Sequence, residues 1–414
     1  MEGFKKMNRR KFNTALAAGG ALTALSPFGI ARAQGGKLKV GVLLPRSGFE
    51  ALIGQSCQKG VDLAPEVIKA MLGVDIEIIN ADTESNVNTA RTRAERLIEE
   101  GAHVLVGAFD SGQTVAIAQV AEQRGVPLVV NIAAAPQITE QGYKFVFRNF
   151  PTARDLVTNG LSLIGDLFQA TNVVPRTAVY MHVNDTFGQA MTGGINAALP
   201  HLTQLPFKIV DKIAYDPAAR DLSVEVSKAK ATNADFLLLV CRLNDSIVLR
   251  REMVKQRWHP MGVIDPGSPG IYEEQFATSL GKYADFFIDN PPWYNPKAEL
   301  THVVETAFKK RNPKEHFVYH GLNVGYTFEA ILIAADAFKR AGSTDPKTLA
   351  DAIRATNITQ RMCLGGPIKF NAKGQVEGNL SACVQILNGR PKVVLPAYAA
   401  EAKPVFPWPE YKSA

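Results

Sequence analysis

The residues able to do chemistry in this chain are few and scattered. His316 and His320 stand at i, i+4, the spacing that could turn two imidazoles toward one zinc ion, but no third ligand lies near them. A packed or solvated pair is the simpler expectation. Asn184-Asp185 ahead of Phe187-Gly188 offers one carboxylate, either for acid–base work or as the N-cap of a following helix. Phe109-Asp110-Ser111-Gly112 follows a short apolar run and precedes a helical stretch. A serine hydroxyl beside the unpaired N–H groups of a helix start makes a natural carboxylate site. The same Ser111 could cap that helix, and the two roles are compatible. Arg242 also follows a buried run and could meet an anionic ligand or its neighbour Asp245. No phosphate-cradling Gly-x4-Gly-Lys-Ser/Thr, no dinucleotide Gly-x-Gly-x-x-Gly after a strand and no Gly-x-Ser-x-Gly elbow is present. The expectation is a chain without catalysis, cofactor or metal.

The elements that must position these residues alternate. Leu38 to Leu44 reads as a strand, 54–71 as a helix, 75–79 as a strand and 87–100 as a helix with Ala90, Ala94, Leu97 and Ile98 on one face. Strands at 104–107 and 127–130 flank a helix at 113–123. Continuous Val/Leu runs in a βαβαβα rhythm predict a parallel sheet covered on both faces. The rhythm restarts after Phe150-Pro151-Thr152, with helices at 155–168 and 188–199 and strands at 178–181, 209–213, 236–240 and 262–264. Two such halves suggest internal duplication. The Pro-rich segment 290–296 breaks the pattern before helices at 298–311, 321–341 and 346–355. Residues 401–414 read as a terminal strap. Strand-like segments 366–370 and 381–387 lie beside Cys363 and Cys383, which either bridge that hairpin or, like Cys57 and Cys241, sit as buried apolar residues.

The start of the chain is an export signal. Arg9-Arg10 precedes an uncharged stretch from Asn13 to Ile30 that ends at Ala31-Arg32-Ala33, a small-x-small cleavage site. The paired arginines before Phe12 suit the Tat class, and cleavage after Ala33 would leave a periplasmic protein of 381 residues. Six basic residues against Glu2 give this signal five of the seven net positive charges, leaving about +2. The basic balance is therefore no sign of nucleic-acid binding.

Lys39-Val-Gly-Val-Leu-Leu-Pro-Arg-Ser-Gly48, Gly107 to Thr114, Pro136 to Gly142, Asn184 to Gly188 and Gly366 to Phe370 with Lys373-Gly374 occur in order along the chain. In this order and spacing the sequence resembles the leucine/isoleucine/valine-binding proteins, type I periplasmic solute-binding proteins of ABC importers. The resemblance implies two Rossmann-like α/β lobes with mostly parallel sheets joined by a three-strand hinge. The N-terminal lobe would span 37–151 plus 290–357 and the C-terminal lobe 152–289 plus 358–400, with crossings near Phe150, Asp289 and Asn357. It implies a monomer that binds a small organic acid or amino acid and hands it to a membrane permease. Related readings within the fold are an amide or urea binder and a ligand-sensing receptor partner.

By resemblance, Ser111 and Gly112 would hold the ligand carboxylate. The loop 132–136 would add backbone donors from Ala133 and Ala134, where the family has a threonine in place of Ala134. Phe187 and Tyr326 match aromatic residues around the ligand, although either could be core. Ser47 would line the entrance, and Phe109 would pack on the ligand body. Amino-acid binders pair the ligand ammonium with a glutamate; here the matching position is Pro266, beside Asp265. A buried ammonium with no counter-charge would cost several kcal/mol. Either Asp265 substitutes or the ligand has no ammonium, and the expectation is the second: a carboxylate with an apolar or aromatic body.

Overall fold

The computed structural model describes residues 36–202 and 205–409; the export-signal reading lies outside them. β1 (Leu38–Leu44), β2 (Ile76–Asp82), β3 (Val104–Gly107), β4 (Leu128–Val130) and β5 (Val146–Arg148) form a parallel sheet in the order β2-β1-β3-β4-β5. Helices α1 (Ala51–Leu72), α2 (Val87–Glu99) and α3 (Ser111–Arg124) make its crossovers. β1, β3 and β4 are almost wholly buried, as the uninterrupted apolar runs require when helices cover both faces.

A second sheet repeats the plan. After α4 (Ala153–Thr171) come β6 (Thr177–Val183), α5 (Thr186–Ala198), β7 (Lys208–Tyr215), α6 (Ser223–Ala231), β8 (Phe236–Val240), α7 (Leu243–Lys255), β9 (Val263–Asp265), α8 (Glu274–Leu280) and β10 (Ile288–Asp289). The chain then returns to the first sheet. There α9 (Glu299–Arg311) and α10 (Gly321–Ala341) pack on α1, and α11 (Pro346–Arg354) packs on α10. It comes back once more to add the antiparallel pair β11 (Cys383–Leu387) and β12 (Arg390–Leu395). The second sheet runs β12-β11-β10-β9-β8-β6-β7.

In both sheets the first strand lies between the second and third, so connections leave in opposite directions on its two sides. Such a switch point opens a crevice at the carboxyl ends of the strands. The two halves even share a packing device. A Cβ on Gly54 of α1 would fall 2.0 Å from the Pro45 carbonyl oxygen, and one on Gly188 of α5 would fall 1.7 Å from that of Val183. Only glycine lets each helix close so tightly on its preceding loop.

The chain departs from expectation at its end. All four cysteines are free and buried. Cys363 packs against α10 near Gly325 while Cys383 belongs to the second sheet, so each serves as an apolar side chain. Segment 366–370 makes isolated bridges through Ile368 and Phe370 rather than a strand. Near the end of the described chain Phe406 and Trp408 are buried, and the Trp408 indole N–H donates to the Phe286 carbonyl. No helix among the described residues is long and apolar enough to cross a membrane.

Candidate functional site

Four helix starts meet where the two switch points face each other. Glu50 precedes α1, Asp110 caps α3, Asp185 caps α5 and Arg242 precedes α7. The Arg242 guanidinium joins them. Its Nη2 lies 2.7 Å from both Asp110 Oδ2 and Asp185 Oδ2, its Nε donates to Asp185 at 2.9 Å, and its Nη1 lies 3.1 Å from Glu50 Oε1. Its carbon also sits 5.2 Å from the Phe187 ring centroid and 5.9 Å from that of Phe109, a cation–π sandwich. Burial alone would lower the arginine's pKa, but Asp185, Glu50 and Asp110 outweigh it and hold it well above the ordinary value. Burial likewise opposes ionisation of Asp185, yet Arg242 and the Gly188 N–H keep that carboxyl below its usual range. Asp245, expected as a partner of the Arg242 side chain, instead takes its backbone N–H and the Tyr215 hydroxyl. Its short sequence separation suits a helix cap, whereas the guanidinium reaches away from α7.

Behind this cluster lies a narrow cleft between the two sheets. Phe109, Ile132, Ala133, Ala134, Phe150 and Leu322 line it from one side. Phe187, Arg242, Gly267, Ser268, Pro269 and Tyr272 line it from the other, with Pro291 and Pro292 completing the wall. No aspartate or glutamate is among these residues. Phe109 adopts a left-handed φ of 75°, a conformation costing ~1–3 kcal/mol that surrounding structure must enforce.

Apart from Arg242, the polar side chains lining the cleft are hydroxyls. The Ser111 Oγ accepts from the Ala134 and Ala135 N–H groups at 3.2 and 3.3 Å, so its own hydrogen remains to be donated. Asp110, not Ser111, caps α3 through the Gln113 N–H. The Ala134 backbone donor expected to reach a ligand is thereby engaged by Ser111. Ser268 accepts from the Cys241 N–H, and its own hydroxyl bonds the Asp265 carboxylate. The Tyr272 hydroxyl is buried with no hydrogen-bond partner among the described residues.

Asp265 does not enter the cleft. Its Oδ1 accepts the Gly267 and Ser268 N–H groups at 2.8 and 2.6 Å, and Cys241 Sγ lies 3.5 Å from its other oxygen. Burial pushes its carboxyl up to about 7 against the pull of those two N–H groups. Asp289, its cross-strand neighbour on β10, is raised well above the usual range by burial and then by Asp265 itself.

Of the residues expected at the site, Phe109, Ser111, Ala133, Ala134, Phe187 and Arg242 converge on the cleft. Ser47 and Gly112 are not among its lining residues; Ser47 is exposed, its N–H turned to Asp82 and its carbonyl to Ser85. Tyr326 is core, fully buried and edge-on to Phe150 at 4.9 Å between centroids, so it backs the site without reaching it. His316 and His320 share no helix. His320 Nδ1 bonds Ser56 at 2.9 Å, and no metal-ligand cluster occurs among the described residues. The sequence reading missed Ser268, Tyr272, Phe150, the proline pair, Leu322 and the carboxylates around Arg242. Ser268 and Tyr272 could have been found as the strand-end loop after β9; Leu322 carries no signal apart from its helix.

Residues 37–390 match the profile described as periplasmic binding protein. The chain belongs to that family. As such it is a solute-binding protein of ABC transporters. It is 25% identical over 386 residues to the Leu/Ile/Val-binding protein homolog 8 of Brucella melitensis biotype 1, covering 88% of this chain and 92% of that one. The fold is similar to a leucine-binding protein from Thermotoga maritima, with TM-score 0.73, 21% identity, 86% of this chain and 97% of that one. It is similar also to a solute-binding protein of an ABC transporter from R. palustris in complex with benzoate, with TM-score 0.74, 20% identity, 89% of this chain and 98% of that one.

Proposed function

We propose that this family member captures a small carboxylate with an apolar or aromatic body and passes it to an ABC permease. One observation carries the choice of cargo: a cleft walled by Phe109, Phe150, Phe187, Tyr272 and prolines in which no acidic side chain is free to meet an ammonium. Asp265 is behind the wall, its Oδ1 held by two backbone N–H groups and its Oδ2 beside the Cys241 thiol. The carboxylate would lie at the start of α3, where the first N–H groups have no intrahelical partner and the Ser111 hydroxyl can donate. The ring would fill the aromatic part of the cleft.

The lobes are 37–151 plus 290–357 and 152–289 plus 358–400, closing about the crossings near Phe150, Asp289 and Asn357. The chain acts as a monomer, exported on its Tat-like signal and cleaved after Ala33. Binding energy drives closure, and the closed form is what the permease recognises.

Thermal shift and calorimetry with benzoate and leucine test this. Benzoate at 100 times its dissociation constant is expected to stabilise by ~2.7 kcal/mol, with no response to leucine. Binding of leucine or valine without benzoate overturns the choice of cargo.

A further inference from the structure

We infer that Arg242 is a positioning residue that latches the lobes together, and that closing the latch traps one proton on the carboxylates around it. The inference rests on the reading that the lobes close over a small ligand. Glu50 and Asp110 stand on the first-sheet side of the cleft and Asp185 and Arg242 on the second, so the ion pairs of Arg242 with Glu50 and Asp110 exist only when the two sides meet. A second contact crosses nearby, from the Asn244 side-chain amide to the Phe49 carbonyl at 2.6 Å. Arg242 and Phe109 also line a second, outer cavity, so the latch forms the wall between it and the ligand cleft. Arg242 therefore spends its charge on the protein rather than on the ligand.

The charges do not balance. Three carboxylates surround one guanidinium, with side-chain exposures of 2% at Glu50, 11% at Asp110, 20% at Asp185 and 7% at Arg242. The partial positive ends of the helices offset part of the excess. A buried carboxylate without enough donors takes a proton instead.

The hydrogen bonds indicate which one. Asp185 receives Arg242 Nε and Nη2 and the Gly188 N–H. Asp110 receives the Gln113 N–H and Arg242 Nη2. Glu50 receives a single hydrogen bond, 2.7 Å from Gln113 Nε2, and its Oε1 faces Nη1 without hydrogen-bond alignment. Thr83 donates to the other end of the Gln113 amide at 2.5 Å and so fixes that orientation. Besides these groups, Glu50 feels Cys57 on its own helix, while Asp245 sits behind Arg242 on α7. Burial first, then Asp110, push Glu50 up to about 8 against the pull of Arg242 and Gln113.

When the lobes part, water reaches Glu50 and its carboxyl returns toward the ordinary range near ~4.3. Closure at neutral pH therefore takes up a proton. Ligand affinity should fall as pH rises, by up to about tenfold per unit, and level off above about 8.

The experiment is calorimetry of benzoate binding to the mature chain at pH 7, in buffers of different ionisation enthalpy. Benzoate is ionised throughout and adds no proton of its own. Uptake approaching one proton per ligand is expected, and zero uptake overturns the latch. E50Q should flatten the affinity profile between pH 6 and 9 and bind more tightly than the parent at pH 8.5. An unchanged slope in E50Q overturns the assignment, because the residual uptake would then belong to a carboxylate outside the latch, such as the buried Glu273 that accepts from Asn323 of α10. Should E50Q fail to fold, the proton count of E273Q decides: uptake that persists there supports the latch, and uptake that vanishes overturns it. Absence of benzoate binding at every pH instead defeats the proposed function, and the latch falls with it.

Discussion

Ser111 shows how one hydroxyl can organise a loop and still address a ligand. Its oxygen orders two backbone N–H groups from the turn after β4, and the hydrogen that remains is free to donate. Ser111→Ala should therefore weaken benzoate binding by ~1.5–3 kcal/mol, the range for a hydrogen bond to a charged group, read as a rise in Kd by calorimetry. An unchanged Kd would remove Ser111 from the site. The residue type was legible because a serine at a helix start has few jobs. Arg242 was legible only in part. Its neighbour Asp245 is three positions away, whereas Asp185 and Asp110 lie 57 and 132 positions away. Local sequence favours the nearest carboxylate; only the meeting of two switch points reveals the distant ones. Asp265 posed the opposite problem, since a carboxylate beside the family's acidic position looks available until its backbone donors are counted.

Between residue and molecule stand the strand-end loops, and the one after β4 depends on a residue two elements away. Arg148, at the end of β5, is fully buried, and among the described residues no carboxylate bonds it directly, although Asp155 and Glu140 act on its charge from farther off. It donates instead to the carbonyls of Ala133 and Ala135, to Thr139 and to Gln375, at 2.6–3.2 Å. This fixes the Ala133–Ala134 peptide group, whose N–H faces Ser111, and the carbonyl that follows the second such N–H. Arg148→Met should leave those acceptors unpaired, destabilising the chain by about 1–3 kcal/mol for each orphaned group and lowering the urea midpoint. Benzoate affinity should fall with it, and an unaltered midpoint would show that water replaces the guanidinium. Elements with a clean period were legible: Gly321–Ala341 has the expected bounds, and α1 begins three residues early. By contrast α7 escaped, because Asp245 and Arg250 are buried within it and break its apolar stripe. β10 escaped because two residues carry no period at all.

At the scale of the whole molecule, buried carboxylates set the response to pH. Burial raises Asp265 to about 7 and Glu273 to about 8, and lifts Asp289 well above its usual range. Neither Asp289 oxygen has a hydrogen-bond partner among the described residues, so its protonated form suits the site. A carboxyl whose folded pKa is raised stabilises the fold fully below its unfolded value, near ~4, and loses that contribution as pH climbs through the folded value. The loss here begins at pH ~4 and runs up to about 7 for Asp265 and about 8 for Glu273, levelling off above. Each such group changes stability by up to ~1.4 kcal/mol per pH unit. The urea midpoint of the chain without ligand should therefore be higher at pH 6 than at pH 9. Carboxyls held low, such as Asp82 and Asp185, act in the opposite sense only in acid and leave this window untouched. Asp289→Asn separates the contributions: it removes the like charge beside Asp265 and should flatten the fall in midpoint between pH 6 and 9. A midpoint that rises toward pH 9 in the parent would mean these carboxylates are ionised and solvated in the fold, and the close pairing of β9 with β10 would need another account.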